Sequence, residues 1–162
     1  MTDLNHVYVS EPALHEVDAK PAGFQWIDCN DSDNSVVAML RFAADPDDFV
    51  ICVFNFTPLP RHGYVFGVPR AGTYTEVLNS DAAVYGGSNV GNNGLAVTVP
   101  VASHGYPDSV RITLPPLGFL LLKPPAKVAE KALVAEEREK HRGTEDTETH
   151  RGERSSAGLR PA

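Results

Sequence analysis

Several large protein classes announce themselves by features this sequence lacks. Two cysteines, Cys29 and Cys52, stand in 162 residues, too few for a disulfide scaffold and in keeping with a reducing compartment. Two buried free thiols are expected, and a pairing of the two in space stays open. No apolar run approaches the roughly 20 residues that a membrane-spanning helix needs. Residues 1–10 carry neither the basic n-region nor the apolar h-region of a signal peptide. The expectation is a soluble, cytoplasmic chain with no membrane partner. Basic residues are also scarce, 14 Lys and Arg against 21 Asp and Glu, for a net charge of −7. Affinity for phosphates rests on Lys and Arg, so a nucleic-acid partner is disfavoured. A neutral ligand, such as a sugar polymer, or a protein partner suits the charge better.

What is present before Pro124 is rich in β-branched and aromatic residues, Gly and Pro. Alternating apolar patterns predict strands at Phe24–Asp28, Ser35–Phe42, Phe49–Phe56, Tyr64–Val68, Thr73–Leu78, Leu95–Val101, Ser109–Leu114 and Gly118–Lys123. The second of these places Val36, Ala38, Leu40 and Phe42 on one face. The third is apolar on both faces, as a central strand would be, with Val50, Cys52, Phe54 and Phe56 on one side. Turn residues separate almost every pair, and no helical pattern intervenes. An all-β fold follows, a sandwich or barrel of about eight strands. Asp3–Glu16 is different: a short, partly helical lead-in broken by Pro12. After Pro124 the composition shifts to Ala, Glu, Lys and Arg with no aromatic residue. Residues 127–142 read as a solvated helix and residues 143–162 as disorder. The expected division is a lead-in over 1–20, a β domain over 21–124 and a charged tail over 125–162.

The candidate chemistry is sparse. The acidic run Asp28-Cys29-Asn30-Asp31-Ser32-Asp33-Asn34 fails as a calcium loop. Counted from Asp28, the sixth position is Asp33 rather than Gly and the twelfth is Met39 rather than Glu. A turn held by Asp and Asn side chains is expected instead. The six histidines show no zinc spacing, and neither cysteine has a CxxC partner, so neither a metal nor a cofactor is expected. His62 and His104 each precede a Gly, which places both at turns. The stretch Gly86 to Gly94 lacks the Lys-Ser/Thr of a phosphate loop and reads as a long irregular β-loop that could contact a ligand or another domain. No pair of carboxylates and no Ser nucleophile elbow marks a hydrolytic site. Asn55-Phe56-Thr57 matches a glycosylation pattern that a cytoplasmic chain would not use. The single tryptophan, Trp26, is either a core residue or a platform for a sugar face, with Asp28 and Asn30 placed to bond hydroxyls beside it.

Four strings then carry a resemblance. Glu11-Pro12-Ala13-Leu14-His15-Glu16 followed by Pro21 to Asp28 resembles the junction between barrel and C-terminal domain in bacterial glycogen branching enzymes. Asn55-Phe56-Thr57-Pro58 with Pro60-Arg61-His62-Gly63-Tyr64 looks like the next signature of that family. So does Val77 to Asp81 running into Tyr85 to Asn92. Ser109 to Pro124, with Leu114-Pro115-Pro116-Leu117-Gly118 in its middle, resembles the closing hairpin of the same domain. The resemblance covers residues 3–124 and leaves out the tail.

The resemblance implies an antiparallel Greek-key β-sandwich packed on a catalytic TIM barrel. For the whole enzyme it implies cleavage of an α-1,4-glucan, a covalent glucosyl intermediate on an Asp, a Glu acid/base, and transfer to a 6-hydroxyl to form an α-1,6 branch. The Asp, the Glu and a further Asp belong to the barrel, and no matching motif stands in this sequence. A barrel takes about 250 residues, more than this chain, whose start resembles the last barrel helix. The expectation is therefore a non-catalytic C-terminal domain whose partner is the barrel, the alternative being a weak α-glucan-binding module. Trp26 matches a family tryptophan implicated in holding glucan, and Trp26, Asp28 and Asn30 are the glucan-binding candidates. A domain shaped for a barrel also presents an apolar face. Its expected members are Leu4, Val7, Tyr8, Leu14, Phe24 and Trp26, with the lead-in helix loosely held.

Overall fold

The computed structural model describes residues 1–126. The helix and disorder expected over 127–162 lie outside the described residues. Eight strands form: β1 (Phe24–Asp31), β2 (Val36–Phe42), β3 (Phe49–Asn55), β4 (Arg61–Val68), β5 (Thr73–Asn79), β6 (Leu95–Val99), β7 (Asp108–Leu114) and β8 (Gly118–Lys123). All eight expected strands are present. They join into one antiparallel sheet in the order β1-β2-β3-β8-β5-β6-β7-β4. β5, β6 and β7 follow one another, β8 returns beside β5 and β4 lies beside β7, which makes the order a Greek key. β6 is the corner. Its first half pairs with β5 through Tyr74↔Ala96, and its second half with β7 through Thr98↔Val110. The sheet thereby folds over on itself as a nearly closed sandwich.

Period-two alternation decides what each face buries. On the inner face Val36, Ala38 and Leu40 of β2 meet Ile51 and Val53 of β3, Phe66 of β4, Tyr74 of β5, Val110 and Ile112 of β7, and Leu120 and Leu122 of β8. β3 is buried on its other face as well, where Val50 and Cys52 join Leu78, Leu121, Val7 and Ala13. This second cluster corrects the expectation of a loosely held lead-in. Helix α1 (Thr2–Ser10) and the 3₁₀ turn Pro12–Leu14 lie over the outer face. Val7 is only 8% exposed, Ala13 is fully buried, and Leu14 and Phe24 are half-buried. Burying a valine side chain contributes about 1.5 kcal/mol or more, which a solvated helix could not recover. Polar bonds fix the same segment. Arg41 pairs with Asp18, the Ala44 N–H donates to Glu16 Oε2 at 3.0 Å, and Lys123 Nζ lies 2.5 Å from Glu11 Oε2 and 2.6 Å from Asp48 Oδ1.

Two smaller expectations also need correction. Cys52 is buried but Cys29 is exposed, and both are free thiols. His62 lies within β4 rather than at a turn, beside the register shift between Arg61 and Tyr64 where Gly63 takes φ 67°. His104 does sit at a turn.

Candidate functional site

The sheet has two edges, β1 and β4, and they face each other across a seam. No backbone ladder joins them. Side chains bridge the seam: Tyr64 Oη of β4 donates to Asp31 Oδ2 of β1 at 2.9 Å, Arg61 Nη2 of β4 donates to the Asn34 carbonyl just after β1 at 3.0 Å, and Gln25 Nε2 of β1 donates to Tyr106 Oη of the turn before β7 at 2.9 Å. Between the edges lies a polar cleft of about 560 Å³, walled by Asp28, Asp31, Arg61, His62, Tyr64 and His104 among others. His104 reaches it from a tight turn, Ser103 to Tyr106, whose central residues His104 and Gly105 have φ of 51° and 82°. The turn lies directly on β4. A Cβ on Gly67 would stand 1.9 Å from the Ser103 carbonyl oxygen, so only glycine fits there. The Gly67 N–H donates to His104 Nδ1 at 3.3 Å, and the Ser103 hydroxyl lies 2.8 Å from the same nitrogen. Nδ1 is therefore the acceptor nitrogen, and Nε2 carries the proton toward Asp28 Oδ2 at 3.2 Å.

The electrostatics follow from these bonds. Burial by itself would raise the pKa of Asp31. The hydrogen bonds from the Asn34 side chain and backbone and from Tyr64, with the charge of Arg61, outweigh it and hold the carboxyl below its ordinary value. Tyr64 is pushed upward by burial first, then by its bond to Asp31 and the nearby carboxylate charges. Two of the three carboxylates of the acidic run, Asp28 and Asp31, serve structure. The Asn30 N–H donates to Asp28 Oδ1 at 2.9 Å, and the Asn34 N–H donates to Asp31 Oδ1 at 3.0 Å. These are the Asp-held turns read from the sequence.

Of the glucan-binding candidates, Trp26 stands apart from Asp28. Trp26 pairs with Met39, whose side chain packs in the outer cluster, while Asp28 pairs with Ala38 of the inner core. A register shift between Trp26 and Asp28 inserts one extra residue and turns the two to opposite faces. Trp26 is 48% exposed and meets Phe24 edge-on at 4.7 Å. Asp28 is a wall of the seam cleft, and Asn30 is exposed near the end of β1. The pairs Asp28–His104 and Asp31–Tyr64 carry no signal in sequence spacing, since they join residues 76 and 33 positions apart. Only the His104-Gly105 dipeptide hinted at the turn.

The family model described as alpha amylase, C-terminal all-beta domain, matches residues 26–125. The chain belongs to this family. Among similar curated proteins, the 1,4-alpha-glucan branching enzyme GlgB of Rhodospirillum rubrum is 49% identical over 130 residues, 80% of this chain and 17% of that enzyme. The proteins of the same name from Trichodesmium erythraeum and Pseudomonas putida are each 53% identical, over 75% of this chain and 16% of their own length. The chain thus spans about a sixth of the length of the branching enzymes it matches, and it corresponds to their all-beta C-terminal domain. No helix among the described residues is long and apolar enough to cross a membrane.

In this alpha-amylase C-terminal domain the outer face carries a second feature, which extends the Phe54 and Phe56 face of β3 read from the sequence. Phe56, 61% exposed, stacks on Phe54, and Phe54 stacks on Phe119 at 5.5 Å. Phe119 then borders a groove of about 220 Å³ walled by Met1, Leu4, Leu78, Ser80 and Tyr85. The row runs without interruption from Phe56 to α1. The long loop between β5 and β6 frames its end. Asp81 gathers that loop, accepting from the Ser88 and Val90 N–H groups at 2.9 Å each and from the Ser88 hydroxyl at 2.7 Å.

Proposed function

We propose that the chain serves as the C-terminal domain of a 1,4-α-glucan branching enzyme, contributing no catalytic group of its own and packing on the catalytic barrel. The observation that carries this reading is the match at about half identity to one all-beta portion of branching enzymes. The transfer chemistry would belong to the barrel. The aromatic row Phe56–Phe54–Phe119, continued by Leu4 and Tyr85, is the face we assign to the barrel contact. It is apolar, contiguous and continuous with α1, which the sequence relates to the last barrel helix. Apolar area of this kind is favourable only when a partner removes it from water. Cytoplasmic placement belongs to the same reading, as does glucan contact through Trp26. Trp26 offers an exposed ring, whereas Asp28 is already engaged by His104 and the Asn30 N–H.

The test is co-expression of the chain with the barrel portion of a relative under a separate tag. Co-purification is expected, and the double substitution Leu4→Asp and Phe56→Asp should abolish it while leaving the chain folded. No association, with the lone chain monomeric at high concentration, would refute the docking face. Incubated alone with amylose, the chain should leave the iodine spectrum unchanged. Titration with maltoheptaose should give weak quenching of Trp26 fluorescence, at an affinity near millimolar or about −4 kcal/mol. A silent titration removes the glucan contact.

A further inference from the structure

The long loop between β5 and β6 ends in the one Asn-Gly dipeptide of the sequence, Asn93-Gly94. Its surroundings differ from those of the other asparagines nearby. Asn79 is bonded at both ends of its amide, to the Asp81 N–H and the Val90 carbonyl. Asn89 accepts from the Ala83 N–H, and Asn92 bonds Glu76, the Thr113 carbonyl and the Thr113 N–H. Asn93 is exposed, and among the described residues neither its side chain nor the Gly94 N–H has a hydrogen-bond partner. A Cβ on Gly94 would meet nothing within 4 Å, so the space beside the Gly94 Cα is open. The two residues are the centre of a turn closed by the Leu95 N–H on the Asn92 carbonyl at 3.3 Å, both with left-handed φ, 54° and 83°.

We propose that Asn93 is a site of spontaneous deamidation, gated by the Asn92 latch. The Gly94 nitrogen gives its proton to a solvent base and attacks the Asn93 side-chain carbonyl carbon. A C–N bond forms there as the bond to the amide nitrogen breaks, and ammonia leaves. The resulting five-membered succinimide is opened by water at either carbonyl, giving aspartate or isoaspartate at position 93. The net reaction is amide plus water to carboxylate plus ammonium, with no oxidant or reductant. Glycine at the attacking position removes the side chain that would block the approach. The closed turn holds Asn93 in the left-handed region, so attack passes through opening of the turn. Each event adds one negative charge beside Glu76, and isoaspartate adds a methylene to the main chain where β6 begins.

The experiment ages the full chain in mildly alkaline buffer and maps peptides by fragmentation mass spectrometry, with isoaspartate methyltransferase labelling in parallel. The expected result is a one-dalton gain in the tryptic peptide from Ala71 to Arg111, localised to Asn93, with methyl label at the same position. Asn93→Gln should slow the gain by at least an order of magnitude, because a longer side chain closes the wrong ring size. Asn92→Ala should speed it several-fold by releasing the turn. A gain localised first to Asn79, Asn89 or Asn92 overturns the proposal, as does the absence of any gain over weeks. Localisation in the unaltered chain decides the matter even if a variant fails to fold.

Discussion

Replacing Asn55 should destabilise the domain more than its size suggests, and Asn55→Asp should be worse than Asn55→Ala. Asn55 ends β3 and is 1% exposed. All four of its hydrogen-bonding positions are used. Nδ2 donates to the Leu59 and Pro115 carbonyls at 2.8 Å each, and Oδ1 accepts from the Thr57 N–H at 3.0 Å and the Thr57 hydroxyl at 2.8 Å. The residue thus ties the β3–β4 connection to the β7–β8 turn. In the alanine variant Leu59 and Thr57, near the surface, regain water. The buried Pro115 carbonyl does not, at a cost of about 2 kcal/mol. The space left by the amide adds about 1 kcal/mol. The sum, about 3 kcal/mol, should lower the thermal midpoint by about 10 °C in a domain of this length. The aspartate variant keeps the shape but has no donor. It turns a carboxylate toward two carbonyl oxygens, for about 4 kcal/mol or more near neutral pH. Urea unfolding of the three chains, with m-values compared, reads the difference. An aspartate variant as stable as the alanine variant, or an alanine cost below about 1 kcal/mol, would refute the assignment of Asn55 as a saturated tie.

Three further outcomes are expected. Lys123→Met leaves Glu11 and Asp48 facing each other unpaired, for a loss of about 1–2 kcal/mol after solvent screening, and should raise hydrogen exchange in α1. Burial works against the charge of Lys123, but the bonds to Asp48 and Glu11 outweigh it and raise the pKa above the ordinary 10.5. Its contribution is therefore fully present below that value and fades as pH rises through the higher folded value, which alkaline melts of parent and variant would reveal. Asp31 has the opposite sign. Its folded pKa is lowered, so its stabilisation is present above the ordinary 3.8 and fades as pH falls through the folded value. Asp31→Asn should flatten that acid limb, and an unchanged limb would argue against the Tyr64–Asp31 bridge. Thiol reagents should modify Cys29 at once and Cys52 only on unfolding, since burial first of all pushes the Cys52 thiol up to about 11 despite the nearby Arg41. Equal labelling rates in the folded chain would contradict the second core cluster.

The sequence by itself determined the strands and what they bury, because the side-chain period of a strand is a local property. Val36, Ala38 and Leu40 alternate toward the inner core as their spacing predicts, and β3, apolar from Phe49 to Phe54, is covered on both faces. The family strings were legible for the same reason, as ordered runs of specific residues at turns and junctions. The tertiary structure decided whatever depends on non-local contact or on a break in the period. An extra residue in β1 turns Trp26 and Asp28 to opposite faces, and no pattern of hydrophobicity marks the place. Asp28 meets His104, and Asp31 meets Tyr64, only because the sheet folds until its two edges confront each other. The lead-in is anchored rather than loose because the outer face of β3 and β8 offers Val50, Cys52 and Leu121 to Val7 and Ala13. A helix too short to be stable alone takes its order from that surface.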